Sequence, residues 1–268
     1  MNAASDVETT LVRLHHEEDV MGTVVTIDAF GDEPLTSETF RESLVRARLS
    51  LHEADEVFSL WKSDSAMSRL RRHDVEIGDI PELVVEVLDA CEAARDLSRG
   101  WFNPWALPGG IDPTGYVKGW AAQRALRELL DASVHGAIVN AAGDIASFGF
   151  PEPGKNFQIG ITNPFHPSEM SAIATLEGTI ATSGTYERGQ HLFDPFTGVH
   201  CSRLASASVM GPDLGLADAL ATALAVAGND FLEAIDDLSE FEGFSVSFDG
   251  TMHWTPRFPL ISLATSRQ

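Results

Sequence analysis

The sequence predicts an α+β fold in which helices pack on a mixed, largely antiparallel sheet. Helical and strand patterns are mixed along the chain without the regular strand–helix–strand repeat of a parallel sheet. Short apolar runs alternate with Gly, Asn and Pro, which is typical of strands joined by turns. No long linker, repeat or low-complexity tract divides the chain. We therefore expect a flexible arm over residues 1–20 and one domain over residues 21–268.

Five segments have the apolar spacing of helices. Ser37 is a capping residue at the start of the first, and Pro81 fits the first turn of the second. Helices are predicted over residues 37–54, 81–99, 118–130, 214–226 and 231–238. Strands are predicted over residues 24–27, 137–139, 157–161, 173–176, 205–210 and 244–248, and a loop over residues 101–113.

Charge and composition argue against several classes of protein. The 18 basic and 40 acidic residues give a net charge of −22, which repels phosphate backbones and anionic lipid. We therefore expect no nucleic-acid or membrane partner. Two cysteines make no disulfide framework, and the longest apolar run, residues 219–227, is far shorter than the ~20 residues of a spanning helix. The N-terminal residues resemble no secretory signal, so we expect a cytoplasmic protein.

The segment Asp218-Ala-Leu-Ala-Thr222 is the first candidate site. Residues four apart share one face of a helix, so the carboxylate and the hydroxyl offer two hard oxygen ligands suited to Mg²⁺. An ordinary helix with a solvated Asp218 is the alternative. Apolar residues surround the pair on nearly every side, however, and a buried carboxylate needs a partner or a metal.

His191 and Lys118 are candidates for proton transfer and phosphate binding. His191 precedes a turn at Asp194-Pro-Phe-Thr-Gly, and an imidazole is suited to taking a proton from a hydroxyl. Lys118 follows the turn Asp112-Pro-Thr-Gly115 at a predicted helix start, where N–H groups and an ammonium can hold an anion. A structural histidine and a surface lysine are the alternatives.

Two glycine-containing segments complete the set. Residues 140–144 place Asp144 after a predicted strand and a glycine turn, and an ordinary turn is the alternative there. In residues 181–184, Thr182 and Ser183 are small hydroxyl residues beside a glycine, which would let a ligand approach the backbone closely. An ordinary Ser/Gly loop is the alternative there.

The order of these segments is more informative than any one of them. Residues 21–23, 58–65, 112–119, 140–144, 181–184, 191–198 and 217–222 follow one another as they do in a single family. The elements His-x-x-Asp-Pro-x-Thr-Gly and Ala-Asp-Ala-x-x-Thr are the most specific. From residue 21 to residue 228 the chain resembles the ApbE family, the FAD:protein FMN transferases.

The resemblance implies a single ApbE-like, T-fold-like domain that binds FAD and Mg²⁺. It implies transfer of the FMN moiety of FAD to a Ser or Thr hydroxyl of a client protein, with release of AMP. By this resemblance Asp218, Thr222 and the main-chain carbonyl of Gly115 hold Mg²⁺, His191 is the general base and Lys118 assists at the phosphates. The predicted FAD-binding positions are Met21, Trp61, Trp101, Phe102, Asn103, Asp112, Lys118, Thr182, Ser183, Phe193 and Ala221.

Two other functions remain open from the sequence. The same residues would serve an Mg²⁺-dependent FAD diphosphatase, in which water attacks and free FMN and AMP result. A non-catalytic flavin-binding protein is the second. It is favoured by the short loop of eight residues between Asn103 and Asp112, and by Asn103 at a position where the family usually has Asp.

Overall fold

The computed structural model describes residues 12–31, 35, 37–130, 134–184 and 192–263. Its strands are β1 Val12–Val20, β2 Thr23–Gly31, β3 Val134–Ala141, β4 Asp144–Gly149, β5 Phe157–Thr162, β6 Met170–Leu176, β7 Thr179–Gly184, β8 Ser206–Gly211, β9 Glu242–Val246, β10 Met252–Trp254 and β11 Leu260–Leu263. Its α-helices are α1 Glu38–Phe58, α2 Ala66–Arg71, α3 Glu82–Leu97, α4 Thr114–Arg127, α5 Leu214–Ala227 and α6 Phe231–Asp237.

The strands form two sheets. The larger has eight strands in the order β1-β2-β3-β4-β7-β8-β9-β10, and the smaller has three in the order β11-β6-β5. Every pairing among these described strands is antiparallel. The predicted α+β class with a largely antiparallel sheet is therefore confirmed.

The two faces of the large sheet pack against different layers. Val25, Ile27 and Ala29 alternate along β2, are fully buried, and belong to the main core between the sheet and the helices. Phe30 and Ile138 lie against a smaller core that joins the large sheet to the three-stranded sheet. The fold thus has three layers, with the helices on one side of the large sheet.

The first strand corrects the prediction for the N-terminus. Residues 12–20 form β1, so the prediction of a flexible arm is wrong there, and residues 1–11 lie outside the described residues. Arg13 and His15 each contact the Asp28 carboxylate across the hairpin, at 2.9 and 2.8 Å. Hydrogen bonding to Arg48 of α1 lowers the pKa of Glu18 to about 2. Backbone pairing with β2, together with these ion pairs, therefore forms a strand that the polar sequence does not predict.

The helix α4 begins earlier than predicted. It starts at Thr114 rather than at Lys118, directly after a turn in which the Asp112 Oδ1 accepts a hydrogen bond from the Thr114 N–H at 3.1 Å. Lys118 is consequently in the second turn, and its predicted place at the helix start is wrong. The predicted Ser37 cap of α1 is confirmed, since its Oγ accepts from the Phe40 N–H at 3.1 Å.

Two further segments near the site are now defined. The predicted turn within residues 140–144 is confirmed at Ala142 and Gly143, whose φ values are 51° and 91°. The ordinary Ser/Gly loop that stood as the alternative for residues 181–184 is not what forms, because Thr179–Gly184 is strand β7 between β4 and β8. Its small side chains allow α5 to pack closely against it.

In the described part of the chain, no helix has both the length and the apolar character that crossing a bilayer requires.

Candidate active site

Helix α5 supplies two oxygen-bearing side chains at the centre of the candidate site. The helix is apolar on almost every side and therefore buried, and Asp213 caps it by accepting from the Leu216 N–H at 2.9 Å. Asp218 and Thr222 lie one turn apart on this helix. Asp218 is only 4% exposed, so its predicted burial is confirmed.

Glycines on α4 let that helix approach α5 closely. A Cβ at Gly119 would lie 2.4 Å from the Leu214 carbonyl oxygen, and the Gly119 N–H donates to the Asp218 Oδ2 at 3.4 Å. In a regular helix this N–H faces the carbonyl of Gly115, but Gly115 has a non-helical ψ of 17°. A Cβ at Gly115 would lie 3.2 Å from the Thr222 Oγ1. The structure therefore brings the three predicted metal ligands to one place.

Strand β7 adds the Ser183 hydroxyl group to the same place. The Ser183 Oγ lies 3.2 Å from the Thr222 Oγ1, within hydrogen-bond distance. The Thr182 Oγ1 lies 2.8 Å from the Ser208 Oγ on β8, which fixes its rotamer. The Ser183 hydroxyl thus lies beside Thr222 of α5, whereas the Thr182 hydroxyl pairs with β8.

A buried ion pair lies next to Asp218. The Lys118 Nζ on α4 is 2.9 Å from the Asp144 Oδ2 at the start of β4. Asp144 is fully buried, and only 16% of the Lys118 side chain is exposed. The Asp144 Oδ1 also accepts from the Thr182 N–H at 3.3 Å. Two carboxylates and one ammonium therefore share a region that is largely closed to water.

The electrostatics of this region favour a bound cation. Burial, followed by the charge of Asp144, raises the pKa of Asp218 well above its usual range, and the Lys118 ammonium only partly opposes this. Burial likewise raises the pKa of Asp144, against the effect of Lys118. Two ionised carboxylates beside one ammonium leave a net negative charge that a divalent cation would neutralise.

The loop over residues 101–113 closes one side of the site. The Asp112 Oδ1 also accepts from the Thr114 hydroxyl at 2.6 Å, and its Oδ2 lies 3.4 Å from the Arg71 guanidinium. Arg71, from the end of α2, donates to the carbonyl oxygens of Gly109 at 2.7 Å and Pro108 at 3.1 Å. Arg71 is outside the loop and therefore fixes the loop to α2.

Two cavities meet at Asp112, Thr114 and Lys118. The first, which we call the aspartate cavity, has a volume of about 230 Å³ and contains Asp218 and Thr222 in its wall. The second, the tryptophan cavity, has a volume of about 690 Å³. The predicted site residues in the wall of the aspartate cavity are Trp101, Phe102, Asn103, Asp112, Gly115, Lys118, Thr182, Ser183, Phe193, Asp218 and Thr222. Those in the wall of the tryptophan cavity are Met21, Trp61, Asp112 and Lys118.

The two predicted ring-stacking tryptophans have different surroundings. Trp61 is 97% exposed, so packing in the core does not explain it. Trp101 is half-buried, with the Arg203 guanidinium 5.2 Å from its ring centroid and the Phe196 ring edge-on at 4.8 Å. Of these two tryptophans, Trp61 is the one whose ring is open to solvent, and it lies in the wall of the tryptophan cavity.

Two of the predicted site residues are not placed in either cavity. Ala221 is fully buried in the main core on α5 and lies in the wall of neither cavity. His191 lies outside the described residues. The turn that follows it has the predicted form, since the Asp194 Oδ1 accepts from the Phe196 N–H at 2.8 Å.

Sequence reasoning missed one residue of the site and the role of a second. Nothing in the sequence indicates that Arg71 belongs to the site, because α2 is short and the loop residue that Arg71 contacts lies far along the chain. Asp144 was identified only as part of a turn. Its position directly after a strand and a glycine turn was the available signal, since such a residue begins the next strand of a hairpin.

The donor set resembles that of a magnesium site. Among the described residues, no three His, Cys, Asp or Glu side chains converge as they do around a transition metal. Carboxylate, hydroxyl and carbonyl oxygens from Asp218, Thr222 and Gly115 are instead the donors present. Hard oxygen donors of this kind fit Mg²⁺, which usually takes one or two carboxylates and completes its shell from water and substrate phosphates.

Comparison with known families identifies the family of the chain. The sequence profile of the ApbE family matches residues 21–109 and 106–244, which is most of the chain. The chain belongs to the ApbE family. The family predicted from the order of the sequence motifs is therefore confirmed.

Two curated relatives carry the name FAD:protein FMN transferase. The Rhodobacter capsulatus protein is 30% identical over 156 residues, which cover 54% of this chain and 30% of that protein. The Haemophilus influenzae protein is 30% identical over 132 residues, which cover 45% of this chain and 38% of that protein. The chain thus matches about a third of the length of these two relatives.

Solved ApbE structures share the fold. The Thermotoga maritima ApbE protein superposes with a TM-score of 0.78 at 22% identity, covering 91% of this chain and 97% of that one. The flavin transferase ApbE of Vibrio cholerae superposes with a TM-score of 0.80 at 18% identity, covering 92% and 97%. At these identities the similarity establishes the fold.

Proposed function

We propose that this chain is an Mg²⁺-dependent FAD:protein FMN transferase. It moves the FMN moiety of FAD to a Ser or Thr hydroxyl of a client protein and releases AMP. The observation that carries the proposal is the convergence of Asp218, Thr222 and Gly115 in the wall of the aspartate cavity, with Lys118 bordering both cavities. Membership of the ApbE family and the names of the two curated relatives support the same activity.

FAD fits the arrangement as a long ligand with two ring systems and a charged centre. Lys118 borders both cavities, so its ammonium is suited to bind the pyrophosphate that links the two halves of FAD. The exposed ring of Trp61 at the tryptophan cavity is suited to stack on one of the ring systems. The loop held by Arg71 would keep water from the other end of the ligand.

Asp218, Thr222 and the Gly115 carbonyl would hold Mg²⁺. The ion supplies charge neutralisation at the pyrophosphate, which is worth several kcal/mol in reactions of this kind. The two buried carboxylates provide the negative charge that such an ion requires.

The transfer itself forms one P–O bond and breaks another. The hydroxyl oxygen of the client attacks the phosphorus of the FMN half, and the bond from that phosphorus to the bridging oxygen breaks. AMP leaves with the bridging oxygen. His191 takes the hydroxyl proton, a contribution of about 10²–10⁴ in rate for a well-placed general base.

Intact mass spectrometry tests the proposal. The protein is incubated with FAD, Mg²⁺ and candidate acceptor proteins encoded beside it, and the acceptor is expected to gain the mass of one FMN less one water. Asp218→Asn should abolish the gain. Asp213→Asn is the matched control, because an asparagine at the start of the same helix retains the cap.

The two alternative functions give different results in the same experiment. Release of free FMN and AMP without any mass gain on an acceptor would identify an FAD diphosphatase. No EDTA-sensitive release of AMP would leave a flavin-binding protein without catalysis. The cytoplasmic location also stays a prediction, which cell fractionation tests.

A further inference from the structure

Asp144 is a buried charged residue to which neither the sequence motifs nor the proposed reaction assigns a role of its own. It begins β4 directly after the Ala142–Gly143 turn, and the Asn140 side chain fixes this turn by accepting from the Gly143 N–H at 2.8 Å. No part of the Asp144 side chain is exposed. A carboxylate in such a position needs compensation from its neighbours.

Three neighbours of Asp144 define what it does. Its Oδ1 is held by the Thr182 N–H of β7 at 3.3 Å, which fixes the carboxylate between two strands. Its Oδ2 lies 2.9 Å from the Lys118 Nζ. The same ammonium is 3.4 Å from the Ala142 carbonyl oxygen, so β4 and its turn hold it from two directions. Asp218 is the third neighbour, and its charge interacts with both Asp144 and Lys118.

We propose that Asp144 is a positioning residue that holds the Lys118 ammonium on the β4 side of the aspartate cavity. In that place Lys118 can face a phosphate, while the Asp218 oxygens stay open to a divalent cation. The inference rests on the proposed function for the identity of the phosphate ligand. The arrangement of charges does not depend on the proposed function, because metal binding alone can test it.

The charges of the three groups give an ordered set of expectations. When a bound cation keeps both carboxylates ionised, Asp144, Asp218 and Lys118 together carry one net negative charge. In Asp144→Asn the three groups carry no net charge, and Asp218 is the acidic side chain that remains among them. In Lys118→Met the net charge of the group becomes two negative charges, and in the double variant it is again one negative charge. Cation affinity should therefore be highest in Lys118→Met, equal in the parent and the double variant, and lowest in Asp144→Asn.

Mn²⁺ binding to the full chain without FAD measures this order. Mn²⁺ accepts the same oxygen ligands as Mg²⁺, and its free fraction is read by electron paramagnetic resonance. Asp144→Asn should weaken Mn²⁺ binding at least about tenfold, because one unit charge is removed a few ångströms from a divalent ion. Asp28→Asn is the matched control, since that carboxylate also pairs with a cation but lies on the β1–β2 hairpin. It should leave the affinity unchanged.

Kinetics then separate positioning from a structural role. If Asp144 acts through Lys118, Asp144→Asn should lower kcat for AMP release from FAD in the parent, yet have little further effect in the Lys118→Met background. Circular dichroism and the melting temperature report whether each variant folds. Should Asp144→Asn fail to fold, Lys118→Met alone still tests the arrangement, because it must bind Mn²⁺ more tightly than the parent.

Three results would overturn the inference. These are unchanged or stronger Mn²⁺ binding in Asp144→Asn, no gain in Lys118→Met, and no saturable Mn²⁺ binding in the parent protein. Failure of the proposed function gives a different result, since Mn²⁺ affinities in the expected order without FMN on any acceptor would reject the transferase and retain the role of Asp144.

Discussion

Replacing Gly119 with alanine is expected to push α4 away from α5. The added Cβ would lie 2.4 Å from the Leu214 carbonyl oxygen and 2.9 Å from its carbon, whereas ordinary contacts begin near 3.4 Å. Both opposing atoms belong to the backbone, so the helices must separate by about 1 Å, the difference between those distances. Overpacking costs about 3 kcal/mol at the upper end of its usual range, and the better helix propensity of alanine offsets about 1 kcal/mol.

The net loss of about 2 kcal/mol should lower the melting temperature by about 4–8 °C in a chain of this size. FAD turnover should fall as well, because the Gly119 N–H that contacts Asp218 moves with the helix. Thermal unfolding followed by circular dichroism measures the first effect. Gly78→Ala is the control, since nothing lies within 4 Å of the added Cβ there. Equal melting temperatures for Gly119→Ala and the parent would refute the close approach of the two helices.

Three other predictions concern the rim, the hairpin and the loop. Trp61→Ala should leave the melting temperature unchanged, because the ring is exposed, and should weaken FAD binding about tenfold in calorimetry through lost stacking. The pKa of Glu18 is lowered to about 2 by its arginine contact, so its stabilisation is complete above its ordinary pKa of 4.5 and is lost as the pH falls from there. Glu18→Gln should accordingly flatten the decline in urea midpoint between about pH 5 and pH 3, and an unchanged decline would contradict this. Arg71→Met should raise KM for FAD and expose residues 101–113 to proteolysis, whereas Arg72→Met, whose contacts lie outside that loop, should do neither.

The parts of the site that the sequence predicted depend on local information. Asp218 and Thr222 could be assigned to one helix face because helical spacing is fixed, and their burial followed from the apolar residues around them. The Ser37 cap and the turn at Ala142 and Gly143 are likewise set by residues within a few positions of each other.

The parts that could not be predicted depend on contacts between distant segments. The polar strand β1 owes its place to Asp28 on the next strand and to Arg48 on α1, and polar alternation by itself does not indicate a strand. Strand β7 consists of small residues that read as a loop, and becomes a strand because two neighbours pair with it. Asp144 became interpretable only when its partner on α4 was seen.

The open position of Trp61 gives the protein an intrinsic optical reporter. An indole that is 97% exposed emits as it does in water, whereas the tryptophans at positions 101 and 105 are already covered in part by arginine side chains. A flavin that stacks on Trp61 would quench this emission by energy transfer. Stopped-flow fluorescence of the unlabelled protein can therefore follow ligand arrival in real time and separate it from the later chemical steps.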